Sequence, residues 1–264
     1  MEILGYIGAL VIGLVLGLVG GGGSILTVPL LVYVFSIEPI LATAYSLFIV
    51  GVSSTFGTIK SSFRKLVDFR IGFLFSVPSF IGVFLSRKFL IPMLPDRLFS
   101  IGTYSILKES GIMIFFGLLM LTAAFLMLKQ KKEVAPYTLT VGLKYLIILI
   151  EGFLIGIVTG LVGAGGGFLI IPALILLTKL PVKKAIDTSL LIISLKSLIG
   201  FLGDLENLEI NWLLLLSITG VSVVGIFIGN TLNHYVDGSH LKKWFGRMVF
   251  VMGLSVVLYE ISQL

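Results

Sequence analysis

Two glycine runs are the places where this chain could do chemistry. Gly20–Gly23 precedes Ser24, and Gly163 with Gly165–Gly167 precedes Phe168; Pro29 follows six residues after Gly23, and Pro172 six residues after Gly166. Each run ends a long apolar segment and opens a short one. Glycine runs break a helix, and the helix that restarts presents unpaired N–H groups and the positive end of its macrodipole. Such ends bind anions. Gly21, Gly22, Gly23 and Ser24 in one run, and Gly165, Gly166, Gly167 and Phe168 in the other, are therefore expected to bind an anionic substrate.

Hydroxyls nearby suit the same task. Ser46, Thr188 and Ser189 follow the glycine elements and are expected to donate to a dehydrated oxyanion; Ser53, Ser54 and Ser197 are further candidates for coupling or structure. In membrane helices such hydroxyls more often bond to their own backbone. Lys196 lies in the apolar stretch LLIISLKSLIGFLG, where an ammonium costs at least about 2.5 kcal/mol. It is expected to supply positive charge to the substrate cavity; the competing reading sends it outward toward Asp204. Glu151, in IILIEGFLIG, carries a proton or forms a structural pair with Lys144, two readings of equal weight. Asp187 reads as an acid at a helix start, favoured by the dipole.

Other chemistries are excluded or disfavoured. There is no cysteine, and the two histidines, His234 and His240, lie near a helix end, so neither a thiolate nor a histidine metal centre is expected. No Gly-Lys-Ser/Thr follows the glycines, so no nucleotide site and no cofactor are expected. The net charge of +6 comes without a basic run interleaved with aromatics, so nucleic acid is not an expected partner. An intramembrane enzyme would need a deep nucleophile with a base, or paired aspartates, and neither is present.

The elements that must position these residues are membrane helices. Hydrophobic residues make up 57% of the chain and charged ones 12%, with a mean hydropathy of +1.15. So few charges could not solubilise a fold of this size, and several stretches approach the ~20 apolar residues that span a bilayer. The bilayer is the expected partner, and the cytoplasmic membrane the expected location. The first segment reads as a span rather than a leader, because its pattern recurs in mid-chain. A shift of 143 residues lays GLVLGLVGGGGSILTVPL (13–30) over GIVTGLVGAGGGFLIIPA (156–173), and the register continues through Ser46/Ser189, Ser54/Ser197 and Gly82/Gly225.

Each copy reads as five helical segments: 3–19, 24–35, 40–59, 69–91 and 112–128, then 143–162, 168–178, 184–202, 211–234 and 244–262. The expected organisation is an N-terminal repeat, 1–128, a cytoplasmic linker, 129–142, and a C-terminal repeat, 143–264, within one membrane domain. The first copy carries an insertion near 101–110. The fold class is an all-α integral membrane protein of two inverted-topology repeats; the alternative is four crossings per repeat in one orientation. The inverted arrangement places fourteen basic residues inside and four outside, with Arg87 and Lys88 in an outer loop, whereas the alternative gives eight and ten. The positive-inside bias favours inversion.

The paired motifs GLVGGGGSxLxxPxL and GLVGAGGGFLIIPAL, with AxxxS following and Thr188-Ser189 in the second copy, resemble the sulfite exporter TauE/SafE family, also called the 4-toluenesulfonate uptake permeases. The resemblance covers both halves; Tyr45-Ser46 replaces the Thr-Ser pair in the first. It implies a secondary transporter moving sulfite, thiosulfate or an organosulfonate by alternating access. A passive anion channel, or a carrier of another small organic anion, is the alternative. Direction, coupling ion and oligomeric state, a homodimer included, stay open.

Overall fold

The computed structural model describes residues 2–101, 104–128, 141–178, 180–233 and 238–263. The segment order in the first half is α1 (Glu2–Val19), a 3-10 helix (Gly20–Leu26), α2 (Thr27–Tyr33), α3 (Pro39–Phe63) and α4 (Phe69–Leu85). A π-helical turn (Ser86–Leu90) and α5 (Ile91–Met93) prolong α4; a β1 (Arg97–Ile101) and β2 (Tyr104–Leu107) antiparallel hairpin precedes α6 (Lys108–Leu128). The second half holds α7 (Val141–Val162), α8 (Gly167–Thr178), α9 (Val182–Leu202), α10 (Trp212–Leu232) and α11 (Gly238–Ser262). Among the described residues, eight spans are long and apolar enough to cross a bilayer. The protein is an α-helical, multi-pass membrane protein.

Local signals explain the boundaries. Pro39 opens α3 in its first turn, where its missing N–H costs nothing. The Asp68 side chain caps α4 by accepting from Ile71 N at 3.1 Å, and Asn211 caps α10 by accepting from Leu214 N at 3.1 Å. These caps are equivalent under the 143-residue shift, so the same start signal serves both copies. Large apolar side chains such as Phe73, Leu126, Leu213 and Val251 face outward, as a lipid solvent demands.

Small residues let the helices cross closely. In α1 and α10, Gly13 lies on Ser222 and Gly17 on Gly229, so the two run in the same direction; in α4 and α7, Gly152 lies on Phe75 and Gly156 on Ser79, again in the same direction. Opposite directions hold for α3 with α9, where Gly51 meets Leu198 and Thr55 meets Ser194. They hold also for α6 with α11, where Gly117 meets Gly253 and Gly246 meets Met127. Equivalent pairs recur: Gly13–Ser222 maps onto Gly156–Ser79.

Several boundaries differ from the sequence reading. The helix expected near Ser24 begins at Thr27, because the glycine run itself coils as a 3-10 helix. The insertion near 101–110 forms the β-hairpin and the start of α6. Arg87 is no loop residue: the helix continues past it, and its side chain is fully buried. Most of the linker, 129–140, and His234 lie outside the described residues.

Candidate functional site

The two glycine turns meet in the interior. A Cβ on Gly167 would lie 2.0 Å from Gly21 Cα, a separation open only to glycine against glycine. Gly20 and Gly163, equivalent under the shift, both take φ 70. Each turn rests on the other half's long helix: a Cβ on Gly20 would strike Ile186 of α9, and one on Gly163 would strike Thr43 of α3. In this conformation the turns touch, so an anion fits between them only once they part.

Lys196 reaches the second turn. Its side chain is fully buried, Nζ donates to Thr159 Oγ1 at 2.6 Å, and a Cβ on Gly166 would sit 2.9 Å from Nζ. Among the described residues no carboxylate forms an ion pair with it. Asp204 is engaged elsewhere, its Oδ2 lying 2.7 Å from Arg87 Nε. That contact is one of charge proximity more than alignment, since neither atom has a partner of good hydrogen-bond geometry. Burial pushes the Asp204 carboxyl up to about 6, against the pull of Arg87.

The equivalent place in the first half carries no charged side chain. Lys196 corresponds to Ser53, Thr159 to Leu16 and Gly166 to Gly23; a Cβ on Gly23 would meet the backbone of Leu16, and Ser53 Oγ donates to Ser222 Oγ at 3.1 Å. Charge is therefore concentrated at one turn of a nearly symmetric pair.

The other expected residues divide. Gly21, Gly22, Gly23, Gly165, Gly166 and Gly167 are all buried; Gly21 and Gly167 make the contact between the turns, whereas Gly22 faces Val19 and Phe245 and Gly23 faces Leu16. Ser24 spends its hydroxyl on Gly21 O at 2.6 Å, and Phe168 packs its ring into the apolar core beside Phe245, leaving its amide to the site. Thr188 Oγ1 accepts from Asp68 N at 3.0 Å, a structural bond near the α4 start. Ser189 donates to Ile186 O at 2.7 Å and its Oγ stands 3.5 Å from Gly21 N, across the halves. Ser46, Ser54 and Ser197 are buried with no partner for their hydroxyls. Glu151 is half-buried on α7, two turns from Thr159, and nothing brings it to Lys196. Asp187 is more than a helix-start acid: it accepts from Ser61 Oγ at 2.5 Å inside the protein.

Sequence reasoning missed Thr159 and Arg87. The signal for Thr159 was present, since it interrupts an apolar helix where the first copy has Leu16. Arg87 read as a loop charge because its helix carries on through a π-turn. Together, the Lys196 amine, positioned by Thr159, and the Gly167 and Phe168 amides at the start of α8 offer N–H donors in a water-poor interior, while the Leu169 and Ile170 amides already donate to Gly166 O.

Among the described residues, eight apolar spans surround a buried lysine with no acidic partner beside two broken helices, and the class these features fit, a membrane transporter, is the one the following comparisons give. The chain matches the family model "Sulfite exporter TauE/SafE" over residues 6–256 and belongs to that family. It is 31% identical over 251 residues to a "Probable membrane transporter protein" of Xylella fastidiosa strain Temecula1, covering 93% of this chain and 91% of that one. It is 29% identical over 295 residues to the "Probable membrane transporter protein YunE" of Bacillus subtilis strain 168, covering 98% and 96%. No solved structure matches significantly.

Proposed function

We propose that this protein is a secondary carrier that moves a small sulfur-containing oxyanion, such as sulfite, thiosulfate or an organosulfonate, by alternating access. The observation that carries the reading is Lys196: a buried ammonium hydrogen-bonded to Thr159, beside the Gly166 turn, with no acidic partner among the described residues. An unpaired charge at that depth is costly. An anion supplies the missing counter-charge, and the Gly167 and Phe168 amides and unpartnered serines replace its water. Contact of Gly21 with Gly167 favours a carrier, since a channel needs a continuous path.

The two halves act as inverted copies in this reading. Supporting it, α3 packs antiparallel to its equivalent α9, and α6 to α11. The basic loops near Arg64, Lys65, Lys183 and Lys243 then share the cytoplasmic side. With no nucleotide motif, a solute gradient drives the cycle.

The test is exchange in proteoliposomes loaded with sulfite, thiosulfate, sulfate or sulfoacetate. Trans-stimulated, saturable uptake of at least one in the wild type, lost in Lys196→Met, is expected. Conductance without saturation, or uptake unchanged in Lys196→Met, overturns the proposal.

A further inference from the structure

Among the described residues, two buried polar clusters apart from the Lys196 site stand in related positions. In the first, Arg87 sits against Asp204 at 2.7 Å while Nη1 donates to Thr43 Oγ1 at 3.0 Å. In the second, Ser61 donates to Asp187, and Asn230 Nδ2 donates to Ser61 Oγ at 3.2 Å and to Gly57 O at 3.3 Å. The 143-residue shift relates them. Arg87 maps onto Asn230, Asp204 onto Ser61, and Ala44, next to Thr43, onto Asp187. One three-helix junction is thus built twice, from α4, α9 and α3, then from α10, α3 and α9.

Their placement bears on transport. Thr43 and Ser61 stand near opposite ends of α3, eighteen residues or about 27 Å apart along the helix, close to the hydrocarbon thickness. The pairings Gly51/Leu198 and Thr55/Ser194 set Lys196 level with Ser53, midway between them. Each cluster also touches a glycine turn: Gly163 lies on Thr43, and Gly20 on Ile186, the neighbour of Asp187. Any parting of the turns must therefore disturb one cluster or the other.

We propose that Arg87–Asp204–Thr43 and Asn230–Ser61–Asp187 are the two gates of the transport path, one at each membrane face, opened in alternation. Both are closed here, as an occluded state requires. The gates differ in chemistry, an ion pair outside and a hydrogen-bonded set at the cytoplasmic face. The inference rests on the alternating-access reading but not on which anion is carried.

The absence of native cysteine makes accessibility a clean readout. Ser46→Cys lies one turn from Thr43, and Ser189→Cys is its equivalent beside Asp187. Each is labelled with a membrane-impermeant maleimide in right-side-out and inside-out vesicles. Removing one partner of a buried pair leaves an uncompensated charge, so Arg87→Gln is expected to raise outer-side labelling of Ser46→Cys roughly tenfold or more. Inner-side labelling of Ser189→Cys stays unchanged. Ser61→Ala is expected to do the reverse. The double variant Arg87→Met/Asp204→Leu leaves no unpaired charge and is expected to return labelling toward the wild-type rate, which separates gating from misfolding. Equal labelling with and without the gate substitutions, a rise on both faces together, or a double variant as open as Arg87→Gln overturns the assignment. No transported anion is needed, so that outcome leaves the exchange assay to judge the carrier reading separately.

Discussion

Replacing Lys196 by methionine should make the empty protein more stable while abolishing its response to anions. The side chains are similar in length, so little cavity is left. The ammonium is fully buried without an acidic partner among the described residues, and such a charge costs at least about 2.5–3.5 kcal/mol in a membrane interior. The loss of the Lys196 bond does not orphan Thr159, whose hydroxyl also donates to Ile155 O at 2.7 Å. Allowing for the lost hydrogen bond, about 1 kcal/mol, the net gain is about 2 kcal/mol. At ~2–4 °C per kcal/mol for a chain of this size, Tm should rise by about 4–8 °C. The assay is thermal unfolding of detergent-purified wild type and Lys196→Met, each with and without millimolar sulfite and thiosulfate. A wild-type shift with anion and a flat response from a more stable variant is the expected pattern. A Lys196→Met protein that unfolds earlier than the wild type would refute the reasoning, because the lysine would then be paid for within the fold rather than by a ligand.

Two further outcomes follow from the geometry. Gly167→Ala puts a methyl against the Gly21 backbone, which cannot yield, and should cost roughly 1–3 kcal/mol or more and abolish exchange; Gly220→Ala, with nothing within 4 Å, should be neutral or stabilising by up to about 1 kcal/mol, as thermal unfolding of both will show. For Asp204, the closed gate holds the carboxyl at about 6 against an ordinary 3.8, so the closed form binds the extra proton and its advantage is lost as pH rises through about 6. The charged groups beside it are Arg87, which faces it, and Lys88, which pairs with Glu206 at 3.5 Å. Acidifying the outer medium from about pH 7.5 to 5 should slow outer-side labelling of Ser46→Cys by about tenfold beyond the same change in an Asp204→Asn background, which carries the thiol's own pH dependence. Faster relative labelling at pH 5 would reverse the sign and sink the claim.

Much of the fold was legible because its strongest signals are local. Apolar length marks the spans, and the 143-residue register marks the duplication, since Gly20 and Gly163 or Asp68 and Asn211 must do the same backbone task twice. The glycine runs were recognisable as turns for the same reason. Their fine conformation was not: Gly20–Leu26 coils as a 3-10 helix, a choice settled by packing against α9, far off in sequence. The site was half legible. Lys196 stood out as a charge in an apolar run, but that its nitrogen reaches Thr159 depends on how α9 lies against α7. The inertness of Ser24 and Thr188 likewise depends on partners, Gly21 O and Asp68 N, that no periodicity reveals. Arg87 escaped notice because a charge near a helix end looks solvated until a second chain segment covers it.

The exchange of turns between halves also dictates the order in which the protein can be made. Each glycine turn leans on a helix of the other copy, so the first copy leaves the translocon with the hydroxyls of Ser46, Ser53 and Ser54 facing no partner helix. The end of α9 follows the end of α3 by 139 residues, 202 less 63, which at ~5–20 residues per second is a wait of roughly 7 to 28 seconds. During that interval the nascent first half is an incomplete bundle with a polar seam open to lipid, the stage at which an insertion chaperone, or premature pairing with another nascent chain, has its opportunity.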